Sequence, residues 1–561
     1  MTEPRVRLPA VVATVAVTVL VLGPLLVHGG IALRGDMVFT PDQPWKRAWL
    51  GLDGSVPRAV PMDALVSVAD EVLPGGLLQR LLLVAAFTAG GLGIARLAGR
   101  FSATAQVAGV LVYLWNPWVH ERLGIGQWPT VLAYGLLPWL VLAGGRLRAG
   151  GPGGWAATFV LLALAAVCAP SMGLVATLVA VATTWSERRR LLAVLGAAVL
   201  ANLPWAVPAL LGPGLRGSSD QFGAFAARGE GGLGTLGALL SMGGIWKVSV
   251  VPPERTHLVV VAVAGVLALA FVAGFRWAVP VLGARTAQAI VLAGAVSLLV
   301  ALLPAIGPVG GALGSLAEHW PAVGIVRDSH RFLAPYGLVL GLGAAALVDR
   351  LLAARGATVV TAVLLAAAPV VLLPSLVWGL AGALRPATYP ADWSRVAARV
   401  GHSGSGTVVL PWTGSYRGFG WNDRRAVLDP APRYLPGEVL IDDRIFLRDR
   451  VLPGEDPYLR RVGAALESDD PAAALRGLGV RWVLVEKGNG VRASDVPSGS
   501  VAYDGRWLSL VDLGRPERSV ADVREAPPAW PVVLGGALTA FLCFGMITHL
   551  ARLWSLRRKS V

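Results

Sequence analysis

The chain of 561 residues is 55% hydrophobic and only 15% charged, with a net charge of +15 and a mean hydropathy of +0.62. Soluble domains carry about 25% charged residues, so the composition excludes a wholly soluble protein and points to a multi-helix membrane protein with a polar part attached. Its two cysteines, Cys168 and Cys543, both lie in apolar runs, which excludes a disulfide framework and a cysteine zinc site.

The first seven residues are short and basic. The apolar run 8–33 that follows is longer than a signal-peptide core and reads as an uncleaved first membrane helix. A helix needs about 20 apolar residues to cross a bilayer. On that scale spans fall near 8–33, 76–95, 101–118, 128–145, 154–169, 171–186, 191–211, 257–275, 286–305, 332–349, 357–382 and 529–551. The stretch 154–186 reads either as two spans or as one re-entrant hairpin. The expected fold class is mainly α: a polytopic membrane protein of about 12 transmembrane helices, with a small exterior α/β domain.

Basic residues concentrate on the cytoplasmic side of multi-pass proteins. With the N-terminus inside, the inside segments hold 17 basic residues, among them Arg188, Arg189, Arg190, Arg355, Arg557, Arg558 and Lys559, against three acidic ones. That is +14 of the total of +15. The excess charge is thus a topology signal, and it leaves no case for nucleic acid. The reading places the protein in the plasma membrane with both termini cytoplasmic. The membrane domain is 1–383, with exterior loops 34–75, 119–127, 212–256 and 306–331. The segment 384–527 is an exterior soluble domain, and 528–561 a final helix with a basic tail. Within 384–527 a helix is expected over 392–400, strands over 407–410, 480–485 and 507–511, and a long ordered loop region over 412–460.

Motifs of soluble enzymes are missing: no phosphate-binding loop, no dinucleotide-binding glycine pattern, no His-Glu-x-x-His. The spans carry almost no ionisable group at mid-depth, which excludes the usual design of ion-coupled pumps. Polar groups gather at the exterior edge: Asp36, Asp42, His120, Glu121, Arg122, Lys247, Arg327, Asp328, His330 and Arg331. Asp36, just past the first helix, suits a general base that takes a proton from an attacking hydroxyl. It equally suits a helix-end residue paired with Arg34. Asp42, in Thr-Pro-Asp-Gln-Pro, reads as a turn former or an alternate base. His120-Glu121-Arg122 is either a solvated loop beside the interfacial tryptophans, Trp128 among them, or a donor phosphate or sugar site. The arginines and histidine of 327–331 fit a phosphate grip as well as a snorkelling helix start.

The runs Pro57–Ala64, Tyr113-Leu114-Trp115-Asn116-Pro117-Trp118-Val119-His120-Glu121-Arg122, Gly126-Gln127-Trp128, Leu137-Pro138-Trp139 and Val326–Phe332 resemble the membrane region of actinobacterial α-(1→3)-arabinofuranosyltransferases, members of the GT-C glycosyltransferases. The resemblance covers roughly residues 8–380. It implies a GT-C-like fold and transfer of a sugar, such as arabinofuranose, from a polyprenyl-phosphate donor to a cell-envelope glycan, with inversion. Asp36 would be the base. Arg122, Arg327, His330 and Arg331 would hold the donor phosphate, and His120, Glu121, Trp128 and Lys247 would line the donor or acceptor pocket. Trp412, Tyr416, Trp421 and Asp423 would bind the acceptor. No cofactor follows from the pattern, and a divalent cation, Mg or Mn, is left open beside Asp36. Membrane lipids are expected partners. The competing readings are a non-catalytic carrier or flippase for a lipid-linked glycan and an envelope assembly protein.

Overall fold

The computed structural model describes residues 5–213, 219–354, 358–401, 404–446 and 450–559. Arg355 and the side chains of Arg557, Arg558 and Lys559, which enter the charge count, lie outside the described residues.

Ala-, Leu- and Val-rich runs without charge form long helices because a helix satisfies every backbone polar group internally in lipid. Among the described residues eight such helices are long and apolar enough to cross a membrane: Leu8–Val27, Gly75–Leu97, Trp128–Arg148, Arg188–Leu211, Leu258–Trp277, Ala284–Ala305, Ser329–Ala354 and Ala529–Leu556. Thr358–Leu372 and Pro374–Gly382 are bent by 62° to each other and, counted together, give a ninth, broken span; Pro374 cannot continue the hydrogen-bond ladder. The protein is therefore a mainly α, multi-pass membrane protein.

The expected count of about twelve is not reached by length. The three remaining apolar segments fold as Ala103–Leu114, Gly154–Cys168 and Pro170–Thr184, of 12, 15 and 15 residues. At 1.5 Å per residue these run to roughly 18–23 Å, short of a ~30 Å hydrocarbon core. Proline sets the breaks: Pro117 starts a new helix after Asn116, and Pro170 starts one after Ala169. All four segments expected as loops also contain helix: 34–75 contains Met62–Asp70, and 212–256 contains Ser219–Phe225 and Gly234–Leu240. Residues 119–127 belong largely to the buried helix Pro117–Gly124, and 306–331 contains Gly307–His319.

A five-stranded mixed sheet follows the broken span. Its order is Ser500–Asp504, Leu508–Asp512, Val480–Glu486, Gly406–Leu410, Val439–Leu440, with the central pair parallel. Alternation sorts its side chains. Val409, Leu484 and Leu510 join the hydrophobic core that continues into the membrane helices. Val408, Leu410, Val483 and Val485 face the other way, onto Tyr458, Val462 and Leu475. The expected loop region 412–460 contains the hairpin Tyr416–Gly418/Ala426–Leu428.

The sheet region is tied to the segment after the first helix. Ile31–Ala32 pairs with Pro386–Ala387. Tyr389 donates to the Phe39 carbonyl at 3.0 Å, Lys46 to the Pro432 carbonyl at 2.6 Å, and Arg433 pairs with Asp63 at 2.9 Å. Loop 34–75 is thereby held between the helices and the sheet.

Candidate active site

Asp36 sits in a tight turn. The Arg34 and Met37 backbones bond to each other at 3.2 and 2.9 Å, and the Asp36 amide donates to the Ile125 carbonyl at 2.7 Å. Gly35 and Gly126 both have positive φ, +54° and +87°. Each lies where a Cβ would collide with backbone of the other segment: Gly35 with Ile125, Gly126 with Arg34 and Met37. Only glycine permits that approach, and it places Asp36 beside Gln127.

The second segment is built by its own sequence. The Asn116 side chain accepts from the Val119 amide at 3.0 Å as an N-cap, and Pro117 occupies the first helical position. The Asn116 amide also donates to the Tyr113 carbonyl at 2.7 Å, locking this helix to the one before it. Successive helix residues point about 100° apart, so His120, Glu121 and Arg122 find different partners. His120 Nε2 lies 3.2 Å from Ser375 Oγ, which donates to Glu254 at 2.8 Å. Glu121 lies 3.4 Å from His330 Nε2. Burial, reinforced by neighbouring Glu230, pushes the Glu121 carboxyl well above the usual carboxylate range.

Arg122 is fully buried. It donates to both Asp328 oxygens at 3.0 and 3.1 Å and to Gln127 Oε1 at 2.6 Å, and lies 2.6 Å from His330 Nδ1. Gln127 donates in turn to Asp36 Oδ2 at 3.2 Å, and Arg331 donates to Asp328 Oδ2 at 2.8 Å. Burial alone would raise the Asp328 carboxyl; Arg122 and Arg331 beside it hold it well below the usual range. The result is one chain of bonds: Asp36, Gln127, Arg122, Asp328, Arg331. The other Asp36 oxygen accepts from the Tyr416 hydroxyl. Lys247 completes the group, its ammonium 4.8 Å from the centre of the Tyr416 ring. Burial lowers the Lys247 ammonium while Asp36 draws it back up.

Of the residues singled out in the sequence, Asp36, Arg122, His330, Arg331, Glu121, Lys247 and Tyr416 are thus drawn together. Trp128 is buried next to Phe39, with ring centres 5.1 Å apart. Others lie apart. Asp42 is exposed on the surface of the loop. Arg327 is bound by Glu455 at 2.5 Å and Gln221 at 2.9 Å. Trp421 packs in an aromatic cluster with Phe419, Tyr389 and Trp393, and Trp412 borders the second core cluster. Asp423 is exposed beside Arg425.

Sequence reasoning did not single out Gln127, though it lies in a noted motif, nor the buried ion pair of Glu230 with Arg255. The available signal was the charged residues on both sides of the apolar patch 233–246, Arg228 and Glu230 before it and Lys247, Glu254 and Arg255 after it. Among the described residues no group of three or more His, Cys, Asp or Glu side chains could hold a metal ion. An apolar cleft is lined by Val112, Trp115, Leu267, Phe271, Leu340 and Leu372, together with the polar residues Asn116, Ser241 and Arg255.

No protein-family model matches the chain, and no curated protein matches it in sequence. Solved structures do match. The cryo-EM structure of arabinofuranosyltransferase AftD from mycobacteria aligns with a TM-score of 0.57 at 17% identity, covering 91% of this chain and 40% of that one. Two structures of a point-mutant form of that protein give TM-scores of 0.52 and 0.53 at 17% and 16% identity, covering 90% and 92% of this chain and 41% and 42% of theirs. At this identity the likeness is one of fold. The fold likeness runs beyond the roughly 8–380 of the sequence resemblance to 91% of this chain, and the chain spans about two fifths of the length of the protein it matches.

Proposed function

We propose that this protein is a membrane glycosyltransferase that moves a sugar from a polyprenyl-phosphate donor to a cell-envelope glycan at the outer face of the plasma membrane, with both termini cytoplasmic. The observation that carries the reading is Asp36: a carboxylate just past a membrane helix, oriented through Gln127 by a buried arginine. The shared fold with an arabinofuranosyltransferase supports arabinofuranose as the sugar.

In this reading Asp36 accepts the proton of an acceptor hydroxyl. The oxygen attacks the anomeric carbon from the face opposite the phosphate, the bond from that carbon to the phosphate oxygen breaks, and the phosphate stays on the lipid. Arg331, half-buried at the end of the relay, is the cation best placed to neutralise the leaving phosphate. Both Arg122 nitrogens that face the relay are committed to Asp328, Gln127 and His330, so Arg122 acts as a strut that fixes Arg331 through Asp328. His330 braces the same strut. The test is transfer of radiolabelled arabinose from decaprenyl-phosphate-arabinose in membranes carrying wild type or Asp36→Asn. Loss of transfer with normal membrane insertion is expected; full activity of Asp36→Asn would overturn the assignment.

A further inference from the structure

A base that awaits an acceptor hydroxyl needs one oxygen turned toward it. In this structure both Asp36 oxygens already have a protein donor: Gln127 on Oδ2 and the Tyr416 hydroxyl on Oδ1. The two donors differ in kind. Gln127 is buried and also holds Arg122, so it is a fixture. Tyr416 is 44% exposed; its ring leans on Lys247 and its hydroxyl on Asp36. A phenol and a sugar alcohol present the same O–H donor to a carboxylate lone pair.

We propose that the Tyr416 hydroxyl occupies the place of the acceptor hydroxyl on Asp36 and serves as a gate, leaving when the acceptor binds and shielding the base from water at other times. The inference rests on the reading of Asp36 as the base. The movement is confined to the side chain, because the hairpin under it is pinned. Gly35 exchanges two backbone bonds of 2.8 Å with Ala426 and Leu428. Arg417, the next residue along, is buried against Glu486 at 2.7 Å and Asp429 at 3.3 Å. The side chain is therefore free to turn while its anchor cannot drift, the arrangement a reversible cover requires.

The gate has a chemical purpose. With Asp36 uncovered and no acceptor bound, water can take the acceptor's place. Its proton passes to Asp36, its oxygen bonds to the anomeric carbon, and the bond from that carbon to the phosphate oxygen breaks, giving free sugar and polyprenyl phosphate. Excluding water from a site that holds an activated donor suppresses this loss.

The experiment measures hydrolysis of decaprenyl-phosphate-arabinose without acceptor by the purified full-length protein, as wild type, Tyr416→Phe, Asp36→Asn and the double variant. Tyr416→Phe keeps the ring and removes the donor. Its hydrolysis is expected to rise about tenfold, the scale of one hydrogen bond to a charged group, and the double variant is expected to return to the level of Asp36→Asn. Hydrolysis by Tyr416→Phe at or below the wild-type rate overturns the gate. Hydrolysis by Asp36→Asn at the wild-type rate overturns instead the reading of Asp36 as base. A second measurement needs no turnover: labelling of Asp36 by a water-soluble carbodiimide, read by peptide mass spectrometry. Faster labelling in Tyr416→Phe supports the gate, and unchanged labelling refutes it whatever the donor proves to be.

Discussion

Replacing Arg122 with methionine removes the central cation of the relay under Asp36. The new side chain fills much of the volume of the arginine stem but offers no donor. Asp328, whose side chain is 10% exposed, then keeps only Arg331 Nε at 2.8 Å of its two guanidinium partners. Leaving one member of a buried pair uncompensated costs about 3–5 kcal/mol, and the lost bond to Gln127 adds about 1 kcal/mol. A folded domain has roughly 5–15 kcal/mol of net stability, so the change is large. The assay is thermal unfolding in detergent, followed by tryptophan fluorescence, for Arg122→Met, Asp328→Asn and the pair. Both single variants are expected to melt well below wild type, and the double variant to lose less than their sum, with a coupling above about 1 kcal/mol. An Arg122→Met variant that melts with wild type, or single effects that simply add, would refute the strut.

Two further outcomes are expected. Gly35→Ala sets a Cβ into the Ile125 backbone at a φ of +54°; the Asp36 turn is expected to open, with loss of transfer activity and faster proteolysis within 34–60, while the membrane helices stay folded. Burial, with Arg34 nearby, lowers His120 from 6.5 to about 3. The unfolded chain then binds a proton below its ordinary value while the folded one does not, so stability is full above pH ~6.5 and falls as the pH drops toward 3. The His120→Gln variant is expected to show a flatter dependence of melting temperature on pH between 6 and 4; an unchanged slope would show that His120 does not contribute to it.

Much of the helical scaffold was legible because its signal is local. A long uncharged apolar run declares a membrane helix wherever it sits, and short apolar, Val-rich runs between turn residues declare 407–410 and 480–485 as strands. Whether a short helix crosses is harder to read for the same reason. Apolar composition reads alike in Gly154–Cys168 and in a true span, and only Pro117 and Pro170 mark where the helix stops. The run His120-Glu121-Arg122 was recognisable by type but not by setting: it reads as a solvated loop or a donor site, yet it is a buried helix whose three side chains lie against Ser375, His330 and Asp328 from distant segments.

Asp36 stood out by sequence alone, as an acid placed just past the first apolar run, and the run 116–122 carried the resemblance to a glycosyltransferase family. What surrounds Asp36 was decided by tertiary structure. Its partners Gln127 and Tyr416 are 91 and 380 residues away, and Arg122 reaches Asp328 across 206. Periodicity and capping act over a few residues and leave their mark in the chain. A hydrogen bond across hundreds of residues leaves none, since its geometry exists only after the helices have packed and two glycines have let the Asp36 turn close on Ile125.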